Sequence, residues 1–289
     1  MLGETKCLPF VFSAMLIFSP FHGEQNMTPD RKFKMLYTAA YDYLESRIGK
    51  EALEHKLNHY RCHKVNNMHD VFWYLSNSLT NKVGMRATIG AIDPLEPFLF
   101  GFDPWQTHSH YQDDWKQLFA DIKEKYTPPG PMDINKPNSY WAIFTKGVLS
   151  GAEFLSQFDS FESFDEFVSS FTFNDISIAA LPILLDQEIY GMGFPLGCDF
   201  LKEIGYTNYA KPDTHTIDIL YGTGVAASQD NYVVYRAMVR MGRINNEVPA
   251  VVDRLLWFIG SGRYVDENVK ITRQKTGFIR LLRPKLGVK

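Results

Sequence analysis

An all-α fold arranged as two lobes is the architecture this sequence predicts, and three observations carry it. Apolar residues recur at three- and four-residue spacing along most of the chain, the period of a helix with one buried face. No run alternates apolar and polar residues as a half-buried strand would. Glycine and proline punctuate the pattern between those stretches. With 289 residues, 45% of them hydrophobic and 15% aromatic, the chain can fill one large core or two ordinary ones. That excludes a disordered, collagen-like or coiled-coil protein.

Residues 1–26 stand apart. Cys7 to Phe21 is an apolar run broken by Pro9 and Pro20 and preceded by a single lysine. It falls short of the roughly 20 apolar residues that a spanning helix needs. Its weak basic start and missing small-residue cleavage site make it a poor signal peptide. Met27, followed by Thr28-Pro29-Asp30, reads as the working start, and 1–26 then reads as a dispensable extension. No later stretch is long and apolar enough to cross a bilayer.

From Thr28 to about Lys64 the spacing of Met35, Leu36, Ala39, Tyr43 and Leu44 predicts a helix. Gly49 breaks it, and Leu53, Leu57 and Tyr60 resume it. Asn66 to Gly90 reads as a second helix pair with Val71, Phe72, Leu75 and Leu79 as its buried stripe. Pro94, Pro97, Gly101 and Pro104 mark Ile92 to Trp105 as irregular, which leaves His108 and His110 in an irregular segment beside Trp105 and Tyr111. Asp113 to Tyr126 is a predicted helix, ended by Pro128-Pro129-Gly130-Pro131. Asn138-Ser139 reads as an N-cap ahead of an inward face of Trp141, Phe144, Val148, Leu149, Ala152 and Leu155. Phe161, Phe164, Phe167 and Phe171 share one helical face and read as core.

His55, His59, Cys62 and His63 fall on one face of a predicted helix. Ligands from one straight helix do not surround an ion tetrahedrally, so a polar face rather than a metal site is expected. Three cysteines (Cys7, Cys62 and Cys198) are too few and too scattered for a disulfide framework or a four-cysteine metal site, which fits a reducing, intracellular compartment.

The most informative segment runs Ile189-Tyr190-Gly191-Met192-Gly193-Phe194-Pro195-Leu196-Gly197, then Cys198 to Gly205, then Tyr206 to His215. It reads as helix, tight Gly-x-Gly turn, helix, glycine stop, short loop, and Asp213 opening the next helix. Two glycines permit positive φ and leave backbone amides unobstructed. At the start of a helix, such a turn is an anion site.

Over Leu181 to Leu220 the sequence resembles the helix-hairpin-helix DNA glycosylases, the superfamily of endonuclease III. There, two glycines around one residue precede an Asp that opens a helix, often as Asp-Thr-His. Here Gly191 and Asp213 are 22 residues apart, as in the endonuclease III pattern, and Asp213-Thr214-His215 follows in place. The resemblance implies an enzyme that binds duplex DNA, flips a damaged or modified base out of it, and uses Asp213 as catalytic carboxylate. It implies DNA contacts at Gly191, Met192, Gly193 and Phe194, with Lys211, His215 and Arg263 as further candidates. A fainter likeness over Leu75 to Asn81 makes Asn77 a candidate duplex probe, and His108 and His110 become candidates to line a base pocket. Bifunctional members carry a lysine four residues after the first glycine. That position is Pro195 here, which implies a monofunctional, water-using enzyme, with Lys146, Lys202 and Lys211 as the other amines to weigh. The four-cysteine cluster of endonuclease III is missing, so no cofactor is expected.

Gly260-Ser261-Gly262 reads as a helix end, not a nucleophile elbow, with Arg263 and Tyr264 poised toward DNA. The expected lobes are residues 66–212, ending in the hairpin, and 27–65 together with 213–289, with the active cleft between them. The net charge of −3 argues against nonspecific coating of nucleic acid, but it is unevenly spread. From Lys211 to Lys289 there are 13 basic and 7 acidic residues, giving +6, and the rest carries −9. A basic C-terminal face on an acidic protein suits one-sided binding of phosphates. A monomer acting on DNA, with no membrane partner, is the expected state. The alternative is a noncatalytic helix-hairpin-helix module that binds DNA or serves as a scaffold, which would need only the turn and the basic face.

Overall fold

The computed structural model describes residues 28–266 and 269–288; the apolar run at 1–26 and Met27 lie outside the described residues. The fold is all-α. Among the described residues there are fourteen α-helices, short 3-10 turns, and one antiparallel pairing of two-residue strands, Val265–Asp266 with Val269–Lys270.

Local chemistry starts most of the helices. α1 (Pro29–Ile48) has Thr28 as N-cap and proline at its first position, and Gly49 ends it. α2 is Lys50–Cys62. α3 (Met68–Leu79) begins where the Asn67 side chain accepts the Asp70 amide at 2.8 Å, and α4 is Met85–Ile89. α5 (Pro104–Tyr111) is capped by Asp103. That overturns the irregular segment expected around His108 and His110: Pro104 occupies the first helical position, where its missing N–H removes no bond, and so starts a helix rather than breaking one. α6 (Trp115–Lys125), α7 (Tyr140–Ser156) and α8 (Phe161–Ser170) are capped by Asp114, Ser139 and Ser160. Then come α9 (Ala180–Glu188), α10 (Gly193–Glu203), α11 (Thr214–Gly222), α12 (Asn231–Asn245), α13 (Pro249–Ser261) and α14 (Lys275–Leu282).

Two buried apolar clusters organise these helices. The first runs from Val65 to Tyr209 and takes Tyr235 and Val239 from α12; α7 lies at its centre, with α3, α5 and α6 against it. The phenylalanine stripe of α8 belongs to this cluster, with Phe164 fully buried and Phe158 edge-on to it at 5.4 Å. The second cluster joins α1 and α2 to α11, α12, α13 and α14. The chain passes from one to the other between Tyr209 and Ala210, three residues before Asp213.

A seam ties the connection after α2 to the end of α10. The Val65 amide donates to Ile204 O at 3.2 Å. Gly205, at φ +103°, lies so close to the 63–64 backbone that a Cβ would sit 2.3 Å from His63 O, so only glycine fits. Across the second cluster, Arg61 of α2 bonds Glu247 through Nε at 3.1 Å and Glu54 at 2.8 Å.

Candidate active site

The hairpin is built as its glycines require. α9 ends at Glu188, Ile189 to Met192 turn, and α10 starts at Gly193, with Gly191 at φ +76° and Gly193 at φ +65°. Other residues reach such angles only with strain. No side chain caps α10, so the amides of its first turn, Gly193 and Phe194, are left for an external acceptor at the positive end of the helix dipole. Pro195 sits in that same turn and offers no N–H.

Of the hairpin residues expected to meet DNA, Met192 is turned inward. Its side chain is fully buried and its amide donates to Ile189 O at 3.1 Å, because the tight turn folds it inward to anchor the hairpin in the core. Phe194 is half-buried, edge-on to Tyr235 at 5.5 Å. Lys146 lies on the hairpin's flank, its ammonium 5.3 Å from the Tyr190 ring and 4.8 Å from the Trp115 ring.

Asp213 is the N-cap of α11. Its Oδ1 accepts the amides of His215 at 2.8 Å and Thr216 at 2.9 Å, and its own amide donates to the Thr216 hydroxyl at 2.9 Å. Both bonds fall on one oxygen, so among the described residues Oδ2 has no hydrogen-bond partner. Burial pushes the Asp213 carboxyl above the usual range and the charge of Asp253 pushes it further, while the bond to the Thr216 amide and the charges of His215 and Lys211 pull the other way. His215 is half-buried with its Nδ1 unpartnered, and its Cβ packs so closely on Gly260 of α13 that no larger residue fits there. Burial lowers its imidazole.

Behind Asp213 lies a network of charges that sequence reasoning missed. Lys202 of α10 is withdrawn from water and reaches Asp253 of α13 at 2.7 Å, Asp199 at 3.3 Å and Glu203 at 3.3 Å. Burial alone would lower its ammonium, but Asp253 and Asp199 outweigh burial and hold it above its usual value. Lys211 reaches the other oxygen of Asp199 at 3.1 Å, and its backbone amide donates to Asp253 Oδ2 at 3.1 Å. Burial would raise the Asp199 carboxyl; Lys211 and Lys202 outweigh it and hold it well below the usual range. One trace of this was legible: an aspartate inside the apolar run Ala250-Val251-Val252-Asp253-Arg254-Leu255-Leu256, where a buried charge calls for a partner.

The network also reaches Asn77. Asn81 donates to Asp199 at 2.8 Å, and Arg86 bridges Asn81 Oδ1 and Asn77 Oδ1, each at 3.0 Å. Asn77 is therefore half-exposed in the last turn of α3, linked through Arg86, Asn81 and Asp199 to Lys211. Arg263 is exposed after the end of α13, whereas Tyr264 is fully buried with its hydroxyl on Ala52 O at 3.3 Å. The expectation that Tyr264 approaches DNA is thereby corrected: its ring fills the second core. His108 has a buried, unpartnered Nδ1 on α5, and His110 packs on Phe100 at 5.1 Å. His59 and His63 stack at 4.6 Å, and no metal-ligating cluster occurs among the described residues. Burial raises the Cys198 thiol well above its usual value, which disfavours the reactive thiolate.

On its C-terminal side, α11 borders a groove of about 590 Å³ against α14, lined by Tyr221, Lys275, Ile279, Arg280 and Arg283 among others. Lys275 is paired with Asp218. No helix among the described residues is long and apolar enough to cross a membrane.

No protein-family model matches the sequence, and no curated protein matches it. Among solved structures, the chain is similar to the 8-oxoguanine glycosylase/lyase of Methanocaldococcus jannaschii in complex with a 15mer DNA containing 8-oxoguanine. The two share 16% identity with a TM-score of 0.49, over 80% of this chain and 100% of that one.

Proposed function

We propose that this protein is a monofunctional DNA N-glycosylase with Asp213 as its catalytic carboxylate. One observation carries the reading: a half-buried carboxylate is fixed through one oxygen by the start of α11, its other oxygen is uncommitted, and it lies 22 residues beyond the first glycine of a Gly-x-Gly turn with open amides. The amides of Gly193 and Phe194 take one DNA phosphate; Lys211 and His215, each two residues from Asp213, and the exposed Arg263 after α13 are further contacts. The target base, a damaged or modified one, is turned out of the duplex toward Asp213.

As the N-glycosidic bond breaks, its electron pair leaves with the base and positive charge develops on C1′ and the ring oxygen of the sugar. The fixed Asp213 anion stabilises that charge at short range in a site poor in water. A water oxygen then bonds to C1′ and passes its proton to Asp213 Oδ2, from which it returns to solvent, and the departed base takes up a proton from solvent. A carboxyl held above the usual range is a better proton acceptor than an exposed aspartate. No lysine replaces water in this reading: Lys202 is buried and held protonated among three carboxylates, and Lys211 is engaged with Asp199.

The test is excision from a panel of oxidised, alkylated, deaminated and mismatched duplexes. Asp213→Asn, which keeps the cap oxygen, is expected to bind DNA as the parent does and to release no base; unchanged excision removes the assignment. Borohydride is expected to trap no covalent adduct. Because Asp213 also makes a complete helix cap, the noncatalytic DNA-binding reading has its own support. It prevails if duplexes bind and the whole panel is left intact.

A further inference from the structure

Lys202 and Asp253 are both side chains in contact at 2.7 Å with almost no exposure to water. A buried pair of this kind contributes little net stability relative to an apolar pair of the same shape, so its position is what calls for an account. Asp253 Oδ2 does two things at once. It accepts Lys202, and it accepts the backbone amide of Lys211 at 3.1 Å, two residues before Asp213. On the far side of that amide, the Lys211 carbonyl accepts the Thr216 hydroxyl at 3.1 Å, and this hydroxyl in turn accepts the Asp213 amide. The segment 211–213 is thus clamped between α13 and the first turn of α11, and the clamp on the α13 side is a carboxylate. A neutral acceptor would also hold the amide, though less tightly; a carboxylate in addition sets a charge beside Asp213.

We propose that Asp253 is a positioning residue for Asp213, holding the 211–213 segment through the Lys211 amide and placing a fixed negative charge next to the Asp213 carboxylate. This rests on the glycosylase reading only for its purpose; the geometry stands without it. The groups acting on Asp213 are Asp253 from α13, Lys211 from the connecting segment and His215 from α11 itself. His215 in turn feels Lys275, Arg273 and Asp218. Of these, Asp253 is the anion contributed by a different helix, and Lys202 lies against it at 2.7 Å. Two anions at the start of α11 deepen the negative potential that a developing cation would meet. The second also makes Asp213 readier to accept a proton.

The experiment uses the full chain without substrate, so its failure and that of the glycosylase reading are separate. Two variants remove both buried charges together, which preserves folding better than stranding one of them: K202M/D253N retains an oxygen acceptor for the Lys211 amide, and K202M/D253A does not. In both, the Asp213 carboxyl, followed by carbon-13 NMR and assigned with Asp213→Asn, is expected to titrate at lower pH than in the parent. Only in K202M/D253A is the Lys211 amide expected to exchange with solvent faster, by about tenfold. If the Asp213 titration is unmoved in both, or the amide is equally protected in both, the proposal is overturned and the pair is a structural bond alone. Where excision is measurable, the acid limb of its single-turnover pH profile moves with the NMR titration.

Discussion

Lys202 Nζ and Lys211 N meet on the same oxygen, Asp253 Oδ2, at 2.7 and 3.1 Å. One side chain of α13 thereby joins the second helix of the hairpin to the segment that carries Asp213. The arrangement explains why a lysine is tolerated in the core: three carboxylates surround it, and two of them are themselves buried.

Removing the cation alone therefore leaves Asp253 and Asp199 exposed to each other's charge in a dry site. Lys202→Met is expected to destabilise the protein by about 3–5 kcal/mol. K202M/D253N is expected to be markedly less destabilised than Lys202→Met, since it removes an unpaired anion as well. Urea unfolding of parent, single and double variants checks this, and equal losses in single and double would show that the two side chains are not coupled.

Asp213 carries a stability signature of its own. Its folded-state carboxyl is raised above the unfolded value, so the native state holds more protons than the unfolded chain between the two, and stability falls as pH rises through that window. Asp213→Asn removes the effect while keeping an oxygen for the cap. The variant is expected to be more stable than the parent above the window and to lose that advantage below the ordinary aspartate range. Melting temperatures of both proteins across pH decide it.

Gly205 joins the clusters where the chain has no room for a side chain. Gly205→Ala combines a left-handed backbone strain of about 1–2 kcal/mol with a Cβ set 2.3 Å from His63 O, so a loss above about 2 kcal/mol is expected in denaturant unfolding. A neutral result would mean that the 63–65 connection yields readily.

At the hairpin, G191A/G193A strains both positive-φ positions and disturbs the amides that begin α10. Weaker binding of undamaged duplex is expected, with the slope of log affinity against log salt shallower by about 0.9, the loss of one phosphate contact. Fluorescence anisotropy over a salt series measures both. An unchanged slope with folding intact would place the phosphate contact elsewhere.

The helices were legible because their signals are local. Thr28, Asn67, Ser139 and Asp213 cap the elements that follow them through backbone amides two or three residues away, and apolar spacing marks which face turns inward. The same locality explains His108: Pro104 reads as a breaker by residue type, yet Asp103 before it makes it a helix start. The Gly-x-Gly turn and the Asp213 helix start were likewise readable, since positive φ and capping are properties of a few adjacent residues.

What the sequence determined by itself, then, is the all-α class, the hairpin and the spacing that sets Asp213 at the head of a helix. What tertiary structure decided is which residues surround that carboxylate. Asp253 is 40 residues from Asp213 in the chain and 51 from Lys202, and Asn81 is 118 from Asp199. Such pairings have no period and no local motif; they exist because burial leaves a charged or polar group no water to turn to, and only a partner brought by the fold satisfies it.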